Sequence, residues 1–380
     1  MEPRVTTDCD GHPFVVVWEA TRACDLACLH CRTAPQPKRS NFELSTYEGY
    51  KLIDQIAELG PQIFVMTGGD PLKRSDMYEF INYASRRGLR PSLASSATPM
   101  LDRGSLVKMK AAGLTRLALG LDGSSAEVHD DYRGVPGAWA KTVDSIRYAR
   151  ESGLPVQINT IVSRRNLDDI EPLAELLETL EVSTWSLFFS LPRIQGRAVD
   201  RLSGWQVEEV FGKLYDISRR VPFEVRTTEG SHYRRFVLQQ MMAEMNVGLE
   251  DLLRGSSADA SEVAADAAMR MPVGLHEARG FIFISHTGEV YPNGFLPLPA
   301  GNVRHRRLQD IYLNSPLFVS LRDSSLLKGK CGVCEYREIC GGSRARAYAT
   351  THDPLAEEPL CVYLPNALRS IPHPGAESTR

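Results

Sequence analysis

Seven of the eight cysteines of this 380-residue chain fall into two groups that are separated by a long cysteine-free stretch. The first group is Cys24, Cys28 and Cys31, the second is Cys331, Cys334, Cys340 and Cys361, and only Cys9 stands alone. At a cysteine frequency of about 2%, chance would place two more cysteines at fixed offsets behind a given one only about 4 times in 10,000. The chain is therefore expected to fold around two thiolate-rich sites.

The composition is that of a folded globular chain, with 43% hydrophobic and 24% charged residues. A net charge of -3 leaves no basic field for a nucleic-acid backbone, so nucleic acid is not expected as a partner. The longest apolar runs, such as residues 14–18, are far shorter than the roughly 18 to 20 residues that cross a bilayer. No basic-then-apolar leader opens the chain. We therefore expect a cytoplasmic protein with no membrane contact and with reduced cysteines.

Short β-type runs alternate with amphipathic helical stretches between the cysteine groups, as in repeated βα units of a parallel sheet. The clearest helix begins at Ser45, where Ser45 and Glu48 fit a capping box, and it ends before Gly60. Strands are predicted at residues 14–18, 62–66, 91–95, 115–121, 156–162 and 184–190, and further helices at residues 76–87, 105–112, 138–151, 167–180 and 206–219. Six repeats predict an α/β fold built on a partial (β/α)6 TIM-like barrel.

The pattern changes after the sixth repeat and predicts a second, smaller unit. The barrel is expected to span residues 13–235, after an extension of residues 1–12. Residues 236–280 connect it to the second unit at 281–365, which opens with a hairpin signal around Gly288. The small, acidic stretch 255–268 predicts a mobile linker or a weak helix, and the tail 366–380 is expected to be disordered.

The first cysteine group follows the first predicted strand, at the edge of the sheet where active sites of parallel α/β proteins collect. Three thiolates cannot fill a four-coordinate metal site, and an open position is what a catalytic metal needs. The alternative is a structural zinc site that His30 completes.

The sequence from residue 13 to residue 365 resembles the radical S-adenosylmethionine (SAM) enzymes. In that family, a C-x3-C-x2-C motif like Cys24, Cys28 and Cys31 binds three irons of a [4Fe-4S] cluster, and SAM chelates the fourth iron. The segment Thr67-Gly68-Gly69-Asp70-Pro71 looks like the family's Gly-Gly-Glu-Pro segment, with Asp70 in place of Glu. The resemblance implies SAM contacts for His30, Thr67, Gly68, Gly69, Asp70, Ser96, Asp122 and Asn159. Plain strand-end turns, an Asp-Gly turn at Asp122 and a satisfied core amide at Asn159 are the alternatives.

The chemistry that this resemblance implies begins with an electron from the reduced cluster, which cleaves SAM to a 5'-deoxyadenosyl radical. That radical abstracts hydrogen from a small-molecule or peptide substrate. The electron is expected from an external flavodoxin- or ferredoxin-like donor. Arg133, next to a motif with family counterparts, either binds a carboxylate or forms a structural ion pair.

The second cysteine group supplies four thiolates, and its spacing alone leaves zinc and iron-sulfur open. Beside the first group, it resembles the SPASM extension of radical SAM enzymes, which implies an auxiliary [4Fe-4S] cluster that takes up an electron. Full SPASM domains have seven cysteines, whereas this chain has Asn293 near the hairpin where early ligands are expected. One auxiliary cluster is therefore predicted. Cys361 is expected as its fourth ligand, with Cys9 or an exogenous ligand as the alternative.

The substrate class remains open at this point. The string from Cys340 to Ala349 is most similar to the haem-biosynthesis branch of these enzymes, although that branch usually has Cys where this chain has Ser343. Peptide maturases share the two-cluster plan, and a non-catalytic zinc protein is a remote alternative. A basic constellation is expected to hold substrate carboxylates, or else to form an exposed rim. Its residues are Arg193, Arg197, His232, Tyr233, Arg234 and Arg235.

Overall fold

A computed structural model describes residues 11–26, 28, 31, 36–191, 200–254 and 278–369. Its described strands form one sheet in the order β10-β9-β8-β1-β2-β3-β4-β5-β6-β7. The strands are β1 (Val15–Thr21), β2 (Ile63–Gly68), β3 (Pro91–Ser95), β4 (Arg116–Gly120), β5 (Val156–Val162), β6 (Thr184–Phe189), β7 (Glu224–Thr228), β8 (Phe281–Ile284), β9 (Glu289–Tyr291) and β10 (Gly301–Asn302).

Strands β1 to β7 pair in parallel with their neighbours in sequence order, which confirms the predicted βα architecture. The predicted hairpin is also present, as the antiparallel pair β8 and β9. Strand β8 pairs in parallel with β1, with Phe281 opposite Val15. The hairpin therefore extends the barrel sheet. The predicted linker at 255–268 and residues 370–380 of the predicted tail 366–380 lie outside the described residues, whereas Asn366–Arg369 of that tail form a short helix.

The helices cover the outer face of the sheet and then build the carboxyl-terminal part of the chain. The described α-helices are α1 (Thr46–Leu59), α2 (Met77–Arg86), α3 (Arg103–Ala112), α4 (Ala126–Arg133), α5 (Ala138–Glu151), α6 (Ile170–Thr179), α7 (Gly204–Arg220), α8 (Tyr233–Met245), α9 (Leu249–Arg254), α10 (Leu308–Asn314), α11 (Pro316–Arg322), α12 (Gly329–Gly332), α13 (Arg337–Cys340), α14 (Arg344–Thr351) and α15 (Asn366–Arg369). Helix α1 has the predicted capping box of Ser45 and Glu48, and Gly60 ends it in the left-handed conformation.

The alternation of burial along the strands shows which side chains face the helices. In β5, Val156, Ile158 and Val162 are buried in the core, whereas Gln157 and Asn159 are half-buried on the opposite face. Successive side chains of a strand point to opposite faces, so Asn159 belongs to the inner face of the curved sheet.

Helix α4 was not predicted from the sequence pattern. Its two buried residues are His129 and Tyr132, and the remaining positions are mostly polar. A helix without an apolar stripe gives no periodic signal, because periodicity of apolar residues is the main sequence evidence for helices. The helix matters because it carries Arg133 to the inner edge of the sheet.

Within the described ranges, none of the helices combines the length and the apolar character that crossing a bilayer requires.

Candidate active site

The first cysteine group lies in the loop that follows β1. Backbone hydrogen bonds tie this loop at both ends: Cys24 donates to Gln36 O at 2.8 Å, and Asp70 donates to Ala23 O at 2.7 Å. Within the loop, Cys31 N donates to Cys28 O at 3.1 Å, and Leu26 N donates to the Cys24 Sγ at 3.4 Å. These bonds hold Cys24, Cys28 and Cys31 at one end of the barrel.

The thiols of this loop are partly shielded from solvent. Burial raises the pKa of Cys24 and the pKa of Cys28, and Arg133 opposes part of the rise at Cys28. The charge of Cys31 also raises the pKa of Cys28, and the charge of Cys28 raises the pKa of Cys24. Neighbouring thiols of this group are therefore close enough to repel one another as thiolates. A metal bound to these thiols would displace their protons and supply the compensating positive charge.

Gly68 and Gly69 end β2 in direct contact with this loop. A Cβ on Gly68 would lie 2.5 Å from Thr21 O, and a Cβ on Gly69 would lie 2.6 Å from Ala23 O and 2.8 Å from the Cys24 Cβ. The two glycines therefore allow the end of β2 to approach the cysteine loop itself. Sequence analysis had expected this close approach to be toward a ligand.

We expect Gly69→Ala to lower cluster loading on Cys24, Cys28 and Cys31, because the added methyl group would push the loop away from β2. Iron bound per chain should fall by up to about four after anaerobic reconstitution, the content of one [4Fe-4S] cluster. Gly104→Ala is the matched control, because its new Cβ would meet its nearest neighbour, the Asp102 Oδ1, at 3.4 Å. Equal iron content in Gly69→Ala and Gly104→Ala would contradict this role of Gly69.

The carboxylate of Asp70 is bound by the protein, and contact of Asp70 with SAM stays a prediction. The residue is fully buried, and its carboxylate accepts hydrogen bonds from Thr98 Oγ1 at 2.6 Å, Ser95 Oγ at 3.3 Å and Leu72 N at 3.1 Å. Burial raises the pKa of Asp70, and these hydrogen bonds oppose the rise. The carboxylate connects the ends of β2 and β3.

Three other predicted cofactor residues lie on the same edge or on the inner face of the sheet. Thr67 Oγ1 donates to Ala94 O at 3.2 Å, and Ser96 Oγ donates to Gly69 O at 3.2 Å. Ser96 also interacts with the thiol of Cys24. Asn159 Oδ1 accepts a hydrogen bond from Gln157 Nε2 at 2.8 Å. Contact of these residues with SAM stays a prediction.

Asp122 is bound by the protein rather than left free for a ligand. Its carboxylate accepts from Ile161 N at 2.9 Å and pairs with Arg133 Nε at 3.0 Å, and the residue is fully buried. Arg133 also interacts with the Cys28 thiol. A Cβ on Gly120 would lie 2.0 Å from Arg133 Nη2, so glycine at this position leaves room for the guanidinium. Arg133 therefore connects the end of β4 to the cysteine loop.

Sequence analysis missed a buried acid on β1. Glu19 is 1% exposed, lies opposite Thr67 in the register and bonds to Arg22 Nε at 3.3 Å and to His286 Nδ1 at 3.1 Å. His286 comes from the turn between β8 and β9. An acidic residue inside an apolar strand, five positions before Cys24, was the available signal.

The second cysteine group surrounds one cavity. Cys331, Cys334, Cys340 and Cys361 all line it, so the distant Cys361 joins the local motif. Burial raises the pKa of each of the last three, that of Cys334 to about 11. Among the residues that the structure describes, no three His, Cys, Asp or Glu side chains are arranged to hold a single metal ion. The four thiols therefore line a shared cavity and do not converge on the position of a single metal ion.

Local backbone geometry shapes this second cavity. Gly341 and Gly342 both have positive φ, 63° and 65°, so the chain turns sharply after Cys340. Gly342 N donates to Cys340 Sγ at 3.4 Å, and Glu358 N donates to Cys331 Sγ at 3.3 Å. N–H groups directed at sulfur are typical of iron-sulfur sites, where they influence the reduction potential.

The predicted substrate anchors fall into two sets. Arg193 and Arg197, like His30 and Cys9, lie outside the described residues. Tyr233 is buried, and Arg234 donates to Ile339 O at 3.2 Å. Arg235 forms a bidentate pair with Glu208 of α7 and is 4% exposed, and its contact with substrate stays a prediction.

His232 also lines the second cavity, although it was predicted as a substrate contact. The side chain is fully buried, and its ring packs edge-on against Phe211 with centroids 4.8 Å apart. Burial lowers the pKa of His232 to about 3, so the ring is neutral at pH 7. A neutral ring carries one N–H donor.

Asn293 and Ser343 stand where the family resemblance would place cysteines, and one carboxylate joins them. Glu229, after β7, accepts hydrogen bonds from Asn293 Nδ2 and from Ser343 Oγ. Glu229 is 6% exposed, and burial raises its pKa. Ser343 Oγ also accepts from Arg346 N at 3.0 Å and so caps helix α14. At these two positions the chain therefore has a hydrogen-bonded group of Glu229, Asn293 and Ser343 instead of thiolates.

Comparison with known sequences agrees with the geometry of the first site. The sequence model of the Radical SAM superfamily matches residues 18–177, which include the first cysteine group. An AdoMet-dependent haem synthase of Methanosarcina barkeri is 38% identical over 353 residues, covering 93% of this chain and 97% of the relative. An Fe-coproporphyrin III synthase of the same organism is 27% identical, covering 91% of this chain and 87% of the relative.

Further similarities extend to a peptide-modifying protein and to the fold. A PqqA peptide cyclase of Rhodopseudomonas palustris is 26% identical, covering 93% of this chain and 88% of the relative. The crystal structure of Streptococcus suis SuiB bound to S-adenosylmethionine superposes with a TM-score of 0.71 at 15% identity, covering 93% of this chain and 78% of that one. The predicted partial-barrel architecture is confirmed by this likeness.

Proposed function

Because this chain belongs to the radical SAM superfamily, we propose that it is a haem synthase that oxidises carboxylate-bearing side chains of an iron tetrapyrrole. The protein is an enzyme that uses SAM and a [4Fe-4S] cluster, as its family does. The observation that carries the finer proposal is the 38% identity to an AdoMet-dependent haem synthase over 93% of this chain.

Cys24, Cys28 and Cys31 are proposed to hold the cluster that binds SAM. Three partly buried thiols on one loop fit a cluster with one iron left open for another ligand. When bound, the cluster and SAM together supply the 5'-deoxyadenosyl radical that abstracts hydrogen. The chain's own residues position these groups: Gly69 holds the loop against β2, and Arg133 places a positive charge beside Cys28.

Cys331, Cys334, Cys340 and Cys361 are proposed to hold the auxiliary cluster. Four thiols around one cavity match the ligand count of a closed cluster, with no open iron for substrate. This supports a role as electron acceptor. Converting a propionate side chain to a vinyl group removes one hydrogen atom, releases carbon dioxide and leaves one electron, so such a reaction needs an acceptor.

The test is an anaerobic reaction of the reconstituted enzyme with dithionite, SAM and Fe-coproporphyrin III. That compound is an iron tetrapyrrole with four propionates, and the name of one relative shows that such a compound is made biologically. We expect 5'-deoxyadenosine that depends on the tetrapyrrole, carbon dioxide, and an iron porphyrin with vinyl groups, measured by liquid chromatography with mass spectrometry. No tetrapyrrole-dependent 5'-deoxyadenosine from enzyme with full iron content would refute the haem-synthase proposal.

Peptide maturation is the second candidate, and the identity of 26% to a PqqA peptide cyclase favours it. The same assay with the PqqA peptide in place of the tetrapyrrole distinguishes the two. Peptide-dependent 5'-deoxyadenosine together with an unchanged tetrapyrrole would favour this alternative. Cleavage of SAM with both substrates absent serves as the uncoupled background in both assays.

A further inference from the structure

The cavity of the second cysteine group is lined by N–H donors as well as by thiols. His232, Arg235 and Lys330 reach it from outside the cysteine motif. Both ring nitrogens of His232 are buried and have no hydrogen-bond partner among the described residues. A buried polar group without a partner is costly, so one is expected when the cavity is filled.

Arg235 is held at the cavity by hydrogen bonds of two of its three guanidinium nitrogens. Its Nη1 donates to Glu208 at 3.1 Å and to Gln239 at 2.7 Å, and its Nη2 donates to Glu208. The buried Nε has no partner in the described parts of the chain. The guanidinium lies 5.4 Å from the Tyr363 ring centroid, and its charge interacts with the thiols of Cys361 and Cys340.

Glu208 limits the capacity of the Arg235 guanidinium to bind another carboxylate. A carboxylate of the chain already takes two of its nitrogens, so Arg235 is oriented by the protein and has little capacity left for a substrate carboxylate. The pairing keeps a cation beside Cys361 in a site that solvent scarcely reaches. In a buried site of low polarity, the fixed charge of Arg235 acts more strongly on a neighbouring charged group than it would in water.

We propose that His232 and Arg235 are positioning residues of the auxiliary cluster, which direct N–H groups at its sulfur atoms and raise its reduction potential. Reduction adds a negative charge to the cluster, and hydrogen bonds and positive charge stabilise the reduced form more than the oxidised form. Both residues thereby favour the cluster as the acceptor of the electron that the substrate releases. This inference rests on the proposed assignment of Cys331, Cys334, Cys340 and Cys361 to that cluster.

The test is a redox titration of the reconstituted full-length protein, followed by electron paramagnetic resonance. Added SAM perturbs only the signal of the first cluster, so the two signals can be assigned. We expect His232→Phe to lower the equilibrium constant for one-electron reduction of the auxiliary cluster at least tenfold, which is 59 mV. Arg235→Gln should also lower the equilibrium constant for reduction of the auxiliary cluster. The potential of the SAM-sensitive cluster should stay the same in both variants.

His232→Gln and Arg307→Gln are the controls. Glutamine at 232 retains an N–H donor and should recover part of the potential that Phe loses. Arg307 is exposed, pairs with Glu58 and does not line the cavity, so its variant removes one positive charge without the proposed contact. An auxiliary potential that is unchanged in His232→Phe and Arg235→Gln at full iron content would overturn the inference.

Two further outcomes are distinct. Loss of the auxiliary cluster in both His232→Phe and His232→Gln would also overturn the inference, because His232 would then be needed for cluster binding rather than for its potential. A parent protein with only about four irons per chain, all in the SAM-sensitive signal, would instead refute the auxiliary-cluster part of the proposed function.

Discussion

Replacing Cys24, Cys28 and Cys31 together by Ala should abolish reductive cleavage of SAM while leaving the second iron site occupied. The three thiols lie on one loop and are the only cysteines described near the end of β1, so under the proposed assignment their loss removes every cysteine bond to that cluster. After anaerobic reconstitution, iron should fall from about eight to about four per chain. The measurements are iron and sulfide content and 5'-deoxyadenosine formed with dithionite.

The companion variant for this test is Cys334→Ala. It removes one thiol from the second cavity and leaves the first loop intact, so SAM cleavage without substrate should persist while the auxiliary signal changes. Full SAM cleavage by the triple variant would refute the assignment of the first site. Equal iron content and an identical spectrum in Cys334→Ala and the parent would show that Cys334 is not a ligand. Two moles of zinc and no sulfide in the parent would favour the zinc-binding alternative.

Replacing Arg346 by Met should destabilise the protein by about 3 to 5 kcal/mol, because it leaves the carboxylate of Glu358 buried without its partner. Arg346 is 1% exposed and donates to both oxygens of Glu358, at 3.1 and 3.0 Å. It also donates to Phe189 O at 3.2 Å and to Glu229 O at 2.6 Å. The loss would therefore weaken the attachment of helix α14 to the ends of β6 and β7, measurable as a lower denaturant midpoint of the apoprotein.

Two controls separate the buried pair from a general effect of removing arginine. Arg147→Met removes an exposed arginine whose pair with Asp144 spans 3.5 Å, and it should cost at most about 1 kcal/mol. Adding Glu358→Gln to Arg346→Met should recover part of the stability, since it removes the buried charge. Ser343 N and Leu360 N donate to different oxygens of Glu358, and the single amide oxygen of glutamine can accept from one of them. Equal midpoints for Arg346→Met and Arg147→Met would contradict this account.

The pairing of Arg346 with Glu358 also changes how the motif around Cys340 is interpreted. The string from Cys340 to Ala349 is the part of the sequence that most resembles haem-biosynthesis enzymes, and its arginines could be taken for substrate contacts. In the structure, Arg344 donates to Pro354 O at 3.0 Å and to Ala356 O at 2.6 Å, and Arg346 binds Glu358. Both arginines therefore bind the segment that leads to Cys361, which lines the second cavity.

The sequence by itself determined the features that contiguous residues encode. The two cysteine groups, the βα alternation and the capping box at Ser45 depend on spacings of a few residues, which are visible without any tertiary structure. The family resemblance rests on the same kind of evidence, since its motifs at Cys24 and Thr67 are short and continuous. Its expectation for the fold is confirmed, because strand order in βα repeats follows the order of the chain.

Only the tertiary structure decided which partner each buried charge has. Arg235 and Glu208 are 27 positions apart, and Ser343 and Glu229 are 114 positions apart, so no local pattern connects them. The sequence predicts a carboxylate-binding arginine at position 235, and the structure shows that a carboxylate of the chain, that of Glu208, pairs with it. A charged side chain that leaves water must find a partner, and packing between distant elements determines which one is near enough.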